Sequence, residues 1–192
     1  MEKKREIAQL ISNHYYKLSR VSLDKLAVAL VPFKLKKGER LVNRGEVCNY
    51  IYFIEKGMVR QFYFKYNKDL TEHFSFEGDM LTCIESFLLK QPSQLMIETL
   101  ENTASWGISY KDWMQLTDES KEINLLYRTI LEYGLILSQR KADMLRFEPA
   151  HVRYNRLLET HPQILQRAPL VHIASFLQMT PETLSRVRSG QL

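Results

Sequence analysis

Between Val31 and Ser109 the chain is divided into short runs rich in Val, Ile, Phe and Tyr, separated by Lys37-Gly38, Arg44-Gly45, Lys56-Gly57, Asn67-Lys68 and Glu77-Gly78-Asp79. This punctuation restricts the fold more than any other feature. Runs of about 4–8 residues are too short for ordinary helices, and glycine between them supplies the positive φ that a chain reversal demands. Val31 to Lys36, Glu39 to Asn43, Tyr50 to Glu55, Val59 to Tyr66, Leu70 to Phe76, Leu95 to Leu100 and Ala104 to Ser109 are therefore predicted strands of an all-β sandwich or barrel. Ile84 to Lys90 is a predicted short helix between strands.

On both sides the apolar period becomes helical. Lys3 to Leu18 carries Ile7, Leu10, Ile11, His14 and Leu18 on one face, and Ser22 ahead of Leu23 and Leu26 is the expected cap of a second short helix. Helix returns at Tyr110, and from Ser120 to about Phe147 Ile123, Leu126, Ile130, Tyr133, Leu137 and Met144 recur at three- and four-residue steps, with Arg140 the one break. Such a stripe packs either on its own domain or on a twin helix. Because it runs for about four heptads and precedes a candidate twofold DNA reader, it is assigned to a parallel homodimer seam. Glu148-Pro149 ends this helix, since proline disfavours helical geometry in the residue before it.

A small helical segment follows: Val152 to Thr160, a turn at His161-Pro162, and then two short helices. Ile173, Ala174 and Leu177 mark a core face on the first of these, and Leu184 and Val187 on the second. Thr180 is a good N-cap and Pro181 suits the first helical position, so the second helix starts there on local chemistry. Its outward residues are Glu182, Thr183, Ser185, Arg186 and Arg188. At the tip of a helix lying in a major groove, Arg can donate two hydrogen bonds to guanine, Glu can accept from cytosine, and hydroxyls can hold phosphates. An ordinary helical hairpin satisfies the same pattern.

The 192 residues allow one large or two small domains, and 45% hydrophobic with 26% charged residues is the composition of a soluble globular chain. No apolar stretch is long enough to span a bilayer, and the polar start Met1-Glu2-Lys3-Lys4-Arg5-Glu6 has no signal-peptide character, so a cytoplasmic location is expected. The net charge of +5 suits a polyanionic partner, and from Pro149 onward five arginines are opposed only by Glu159 and Glu182. Cys48 and Cys83 are too few for a four-thiolate cluster or a CxxC zinc site and are read as buried or incidental thiols; no metal is expected, and His14 and His73 are read as structural. No nucleophile elbow, Gly-rich phosphate loop or HExxH occurs, and Asp79 with Glu85 is too weak a pair for hydrolysis, which argues against an enzyme.

In this order the pieces resemble the Crp/Fnr family of bacterial transcription regulators. The most similar stretches are Lys36-Lys37-Gly38-Glu39-Arg40-Leu41 with Arg44-Gly45-Glu46, then Tyr52 to Arg60, then Ile173-Ala174 through Thr180-Pro181-Glu182-Thr183-Leu184-Ser185-Arg186. The resemblance implies an α+β chain: a cyclic-nucleotide-binding-like β-barrel of jelly-roll type over 1–118, a dimerisation helix over 119–148 and a helix-turn-helix domain over 149–192. It also implies double-stranded DNA, a second copy of the chain and RNA polymerase as partners, with a small-molecule effector. Thr180, Pro181, Glu182, Thr183, Ser185, Arg186 and Arg188 are the implied DNA-contacting set, with Glu182 and Arg186 on base-reading positions. Gly78, Asp79, Thr82, Cys83, Glu85 and Ser86 fall where the family's effector pocket lies.

Three departures from the family qualify these implications. Cyclic-nucleotide-binding relatives place an Arg-Ser pair beside the cyclic phosphate, but Gln91 through Glu101 contains no Lys or Arg; a buried phosphate would lack a counter-charge at a cost of several kcal/mol, so cyclic AMP in the usual mode is not expected. An iron–sulfur cluster of the Fnr type is not expected either, and the effector stays unassigned. Gln178 stands where the family's turn has glycine and must adopt an uncommon backbone geometry. Only Ser189-Gly190-Gln191-Leu192 follows Arg188, too little for the family's β-hairpin wing. The alternative function is a dimeric ligand-sensing or protein-interaction scaffold that has lost effective DNA binding.

Overall fold

The computed structural model describes residues 1–191. Two helices, α1 (Glu2–His14) and α2 (Arg20–Ala29), lead into β1 (Val31–Leu35), β2 (Arg40–Val42), β3 (Tyr50–Lys56), β4 (Val59–Lys65), β5 (Lys68–Ser75) and β6 (Met80–Leu81). After α3 (Ile84–Leu89) come β7 (Met96–Thr99), β8 (Thr103–Ser109), α4 (Tyr110–Glu119) and the long α5 (Lys121–Phe147). The chain then continues through α6 (Ala150–Thr160), α7 (Pro162–Arg167), α8 (Leu170–Phe176) and α9 (Pro181–Arg188).

The strands form two four-stranded antiparallel sheets, ordered β1-β8-β3-β6 and β2-β7-β4-β5, so of the expected sandwich or barrel the jelly roll takes the open sandwich form. The sheets face each other across Val42, Cys48, Tyr52, Ile54, Val59 and Ile97. The opposite side of the first sheet, with Ile51, Phe53 and Ile108, meets Ile11 of α1, Leu26 of α2 and Trp113 of α4. Because both faces are covered, β3 is buried from Ile51 to Ile54 without alternation. At Gly57, φ is +106° and an added Cβ would lie 2.8 Å from the Thr103 Cα, so only glycine fits this turn. The β4–β5 hairpin turns on Tyr66 and Asn67, with φ of 50° and 60°, one residue earlier than Asn67-Lys68 suggests; positive φ at both central residues matches the twist of the strands.

Opposite Gln61 and Phe62, β5 carries a bulge: Gln61 pairs with His73 and Phe62 with Thr71, leaving Glu72 unopposed. The carbonyl freed at Glu72 accepts from the ammonium of Lys141, a buried lysine of α5 that also lies 3.3 Å from the Glu72 carboxylate. The bulge thereby ties β5 to the long helix.

Helix boundaries shift where capping chemistry decides them. The cap of α2 is Ser19, whose hydroxyl accepts from the N–H of Ser22 at 3.4 Å, so the expected cap Ser22 lies inside the helix. His161-Pro162 is not a simple turn, because Pro162 opens α7 at its first position. α5 stops at Phe147, where Glu148 turns extended (φ −105°, ψ 135°) before Pro149.

The apolar stripe of α5 is divided between neighbours within the chain. Ile123, Leu126 and Ile130 are 0%, 0% and 7% exposed and belong to the core formed with α1, α2 and α4, while Met144 packs among the C-terminal helices. These four positions are already covered, which corrects their assignment to a dimer seam. The middle of α5 is more open, and there Tyr133, Leu135, Ile136 and Leu137 are exposed.

Candidate DNA interface and effector cavity

Pro169 precedes α8, and α8 buries Ile173 and Ala174; α9 buries Leu184 and Val187. Thr180 caps α9 as local chemistry dictates, accepting from the N–H of Thr183 at 3.1 Å, with Pro181 in the first turn. The turn between them carries Gln178 at φ +49°, the left-handed geometry that a glycine would take without strain. Its carbonyl accepts from Arg153, which also donates to the carbonyl of Glu148 at 3.0 Å and so links the end of α5 to this turn. Gln178→Gly is expected to stabilise the C-terminal helices by roughly 0.5–1 kcal/mol in chemical denaturation, because relief of φ strain outweighs the added freedom of the unfolded chain.

Glu182, Ser185, Arg186 and Arg188 are exposed on the outer face of α9, Pro181 is exposed at its tip, and Thr183 is half-buried. The Glu182 carboxyl is held below the ordinary value, first by its own backbone N–H at the helix start, then by the Thr180 hydroxyl and the Arg186 cation one turn on. The face is thus ionised, outward and mixed in sign.

The inner side of the unit rests on the second sheet. Arg60, 3% exposed on β4, makes a two-pronged pair with Asp69 (2.6 and 2.7 Å), donates twice to Glu98 (2.9 and 2.8 Å) and lies 3.9 Å from the Phe62 ring centroid. It also donates to the Thr71 hydroxyl at 3.2 Å and approaches Nδ1 of His172 on α8 at 3.0 Å. Burial, and then the Arg60 cation, lower the pKa of His172, which suits a neutral ring accepting at Nδ1. One turn further, the Thr71 N–H donates to Ser175 Oγ at 2.6 Å, and Phe176 meets Phe74 with centroids 5.3 Å apart. Arg167 of α7 bonds Glu77 at 2.9 Å through each of two nitrogens and reaches Glu101. Burial alone would raise the Glu77 carboxyl, but Arg167 and the Gly57 N–H outweigh it and hold the group near about 2.

A cavity of about 510 Å³ opens between the sandwich and the middle of α5. Of the six residues expected to line an effector pocket, Asp79 and Thr82 do. The others do not, and each has a local reason. Gly78 forms the turn before β6 at φ +94°, Cys83 faces the sandwich interior, Glu85 is exposed on α3, and the Ser86 hydroxyl is used by the Cys48 N–H. The wall that residue reasoning missed comes from Gln61, His73 and Phe74 on the second sheet and from Leu131, Tyr133 and Ser138 on α5. No sequence signal marks this wall, because the bulge in β5 decides which strand residues face it. Burial, and then the Lys141 cation, lower the His73 pKa to about 4, leaving a neutral ring. Cys48 and Cys83 are free and buried, as expected of incidental thiols. Among the described residues no helix is long and apolar enough to cross a membrane.

The comparisons with known proteins agree with this architecture. Residues 32–120 match the family model of the cyclic nucleotide-binding domain. No curated protein matches the sequence. Among solved structures, the chain is similar to FixK2 from Bradyrhizobium japonicum at 18% identity and a TM-score of 0.72, covering 84% of this chain and 83% of that one. It is similar to the catabolite activator protein of Thermus thermophilus at 17% identity and a TM-score of 0.59, covering 94% and 85%. It is also similar to the c-di-GMP responsive global regulator CLP of Xanthomonas campestris at 17% identity and a TM-score of 0.68, covering 90% and 91%. An open β-sandwich, a long helix and a helix-turn-helix unit in this order define the fold of the Crp/Fnr transcription regulators. Within that fold, the cyclic nucleotide-binding domain model matches the part spanning residues 32–120.

Proposed function

We propose that this chain is a homodimeric, sequence-specific DNA-binding transcription regulator whose β-sandwich senses a small effector other than cyclic AMP bound in the usual mode. The observation that carries the reading is the pairing of a buried inner face on α8 and α9 with an outward tip bearing Glu182, Ser185 and Arg186. Charged and hydroxyl groups on the first turns of a second helix are what base edges and phosphates require. The exposed Tyr133, Leu135, Ile136 and Leu137 give the homodimer its seam, narrower than the full stripe. Twofold pairing there presents two α9 helices to a palindromic site. RNA polymerase is a further partner in this reading. The regulator recognises and binds; it is not an enzyme.

The test is selection of duplex DNA from a random pool, followed by titration of the selected operator at several salt concentrations. Specific binding should weaken steeply with salt, and Arg186→Ala should cost about 1–3 kcal/mol while relaxing preference at one base position per half-site. Equal affinity for operator and scrambled duplex at every salt concentration would favour the scaffold reading instead.

A further inference from the structure

We propose that the cavity between the sandwich and α5 takes an uncharged, largely aromatic or hydrocarbon ligand with one hydrogen-bonding end. This rests on the reading of the sandwich as a sensor and names the chemistry of what it senses. The cavity of about 510 Å³ is of the size that holds a small organic molecule. Its walls are mostly apolar: Leu81 and Leu95 on the sandwich side, Ile84 and Leu88 on α3, Leu131 and Leu135 on α5.

Charge decides the class of ligand. No Lys or Arg is among the lining residues, whereas two carboxylates, Asp79 and Glu72, are. An anionic ligand would be taken from water to a site without a counter-charge and with like charge nearby. Lys141 does not relieve this, because its ammonium is engaged by both the carbonyl and the carboxylate of Glu72. A cation finds no ready partner either: Glu72 is paired, and Asp79 Oδ2 is turned back to accept the Phe76 N–H at 2.9 Å. The remaining polar groups on the walls are uncharged. The Gln61 amide, fixed through a 2.9 Å bond from Nε2 to the Thr82 carbonyl, and the His73 ring can hydrogen-bond one polar end, while Tyr133 and Ser138 bring hydroxyls from α5.

Two fluorescent probes of nearly the same shape separate charge from size: neutral N-phenyl-1-naphthylamine, and 8-anilinonaphthalene-1-sulfonate, which adds one anionic group. With the full chain, the neutral probe should bind at least about tenfold more tightly than the sulfonate, and cyclic AMP should not displace it. Ser138→Arg, at an exposed position on the cavity wall, should narrow or reverse that preference. Gly134→Arg, where nothing lies within 4 Å of an added Cβ, places the same charge independently if the first variant does not fold. Failure of the neutral probe to bind, equal or tighter binding of the sulfonate, displacement by cyclic AMP, or an arginine on this wall that alters neither affinity would each overturn the proposal. Loss of operator recognition with this probe pattern intact would instead count against the regulator reading alone.

Discussion

Arg60→Ala is expected to lower the free energy of unfolding by about 3–5 kcal/mol, the range for removing one partner of a buried ion pair. The substitution deletes more than a charge. Asp69 and Glu98 converge on one guanidinium, with side chains 32% and 19% exposed, and without it two carboxylates face each other in a partly dry site. Stacking on Phe62 and the contact to His172 go as well. Urea denaturation followed by circular dichroism should show a lower midpoint with an unchanged slope. Hydrogen exchange should report faster opening of α8, because its seat on the sheet includes this network. A loss below about 1 kcal/mol would mean that the network behaves as a solvated surface pair.

The second large effect is on assembly. Leu135 is 71% exposed in the single chain, so Leu135→Asp should leave folding nearly unchanged, within about 0.5 kcal/mol. Burying that carboxylate against a second copy is unfavourable, and self-association should be lost. Operator affinity should then fall by about 10²- to 10⁴-fold, the contribution of tethering two half-site readers together. Sedimentation velocity and fluorescence anisotropy on the same samples check both parts. A variant that remains dimeric would place the seam away from the middle of α5.

Most helices and strands were legible where local chemistry decides them, the cap of α2 and the start of α7 excepted. Thr180-Pro181 starts α9, Glu148-Pro149 stops α5, and the glycine-bearing turns divide the strands, because caps and positive φ act within a few residues. The core faces of α8 and α9 were equally readable from their spacing. What escaped was set by tertiary context. The stripe on α5 has the period of a coiled coil, yet its ends are claimed by two different cores, and periodicity cannot tell a neighbour in the same chain from a partner. The cavity wall escaped for a similar reason: the unopposed Glu72 shifts the pairing of β5, and no residue type announces it. Gln178 was legible as an anomaly, since its expected uncommon backbone geometry is observed at φ +49°.

Strand β5 serves two rooms at once. His73 and Phe74 stand in the cavity, while Thr71 and the same Phe74 hold Ser175 and Phe176 of α8. Remodelling the cavity from this side therefore disturbs the floor beneath α8, whereas changes on α3 leave that floor alone. Ligand taste can drift freely along one wall only; along the other, every alteration is also an alteration of how the helical unit sits.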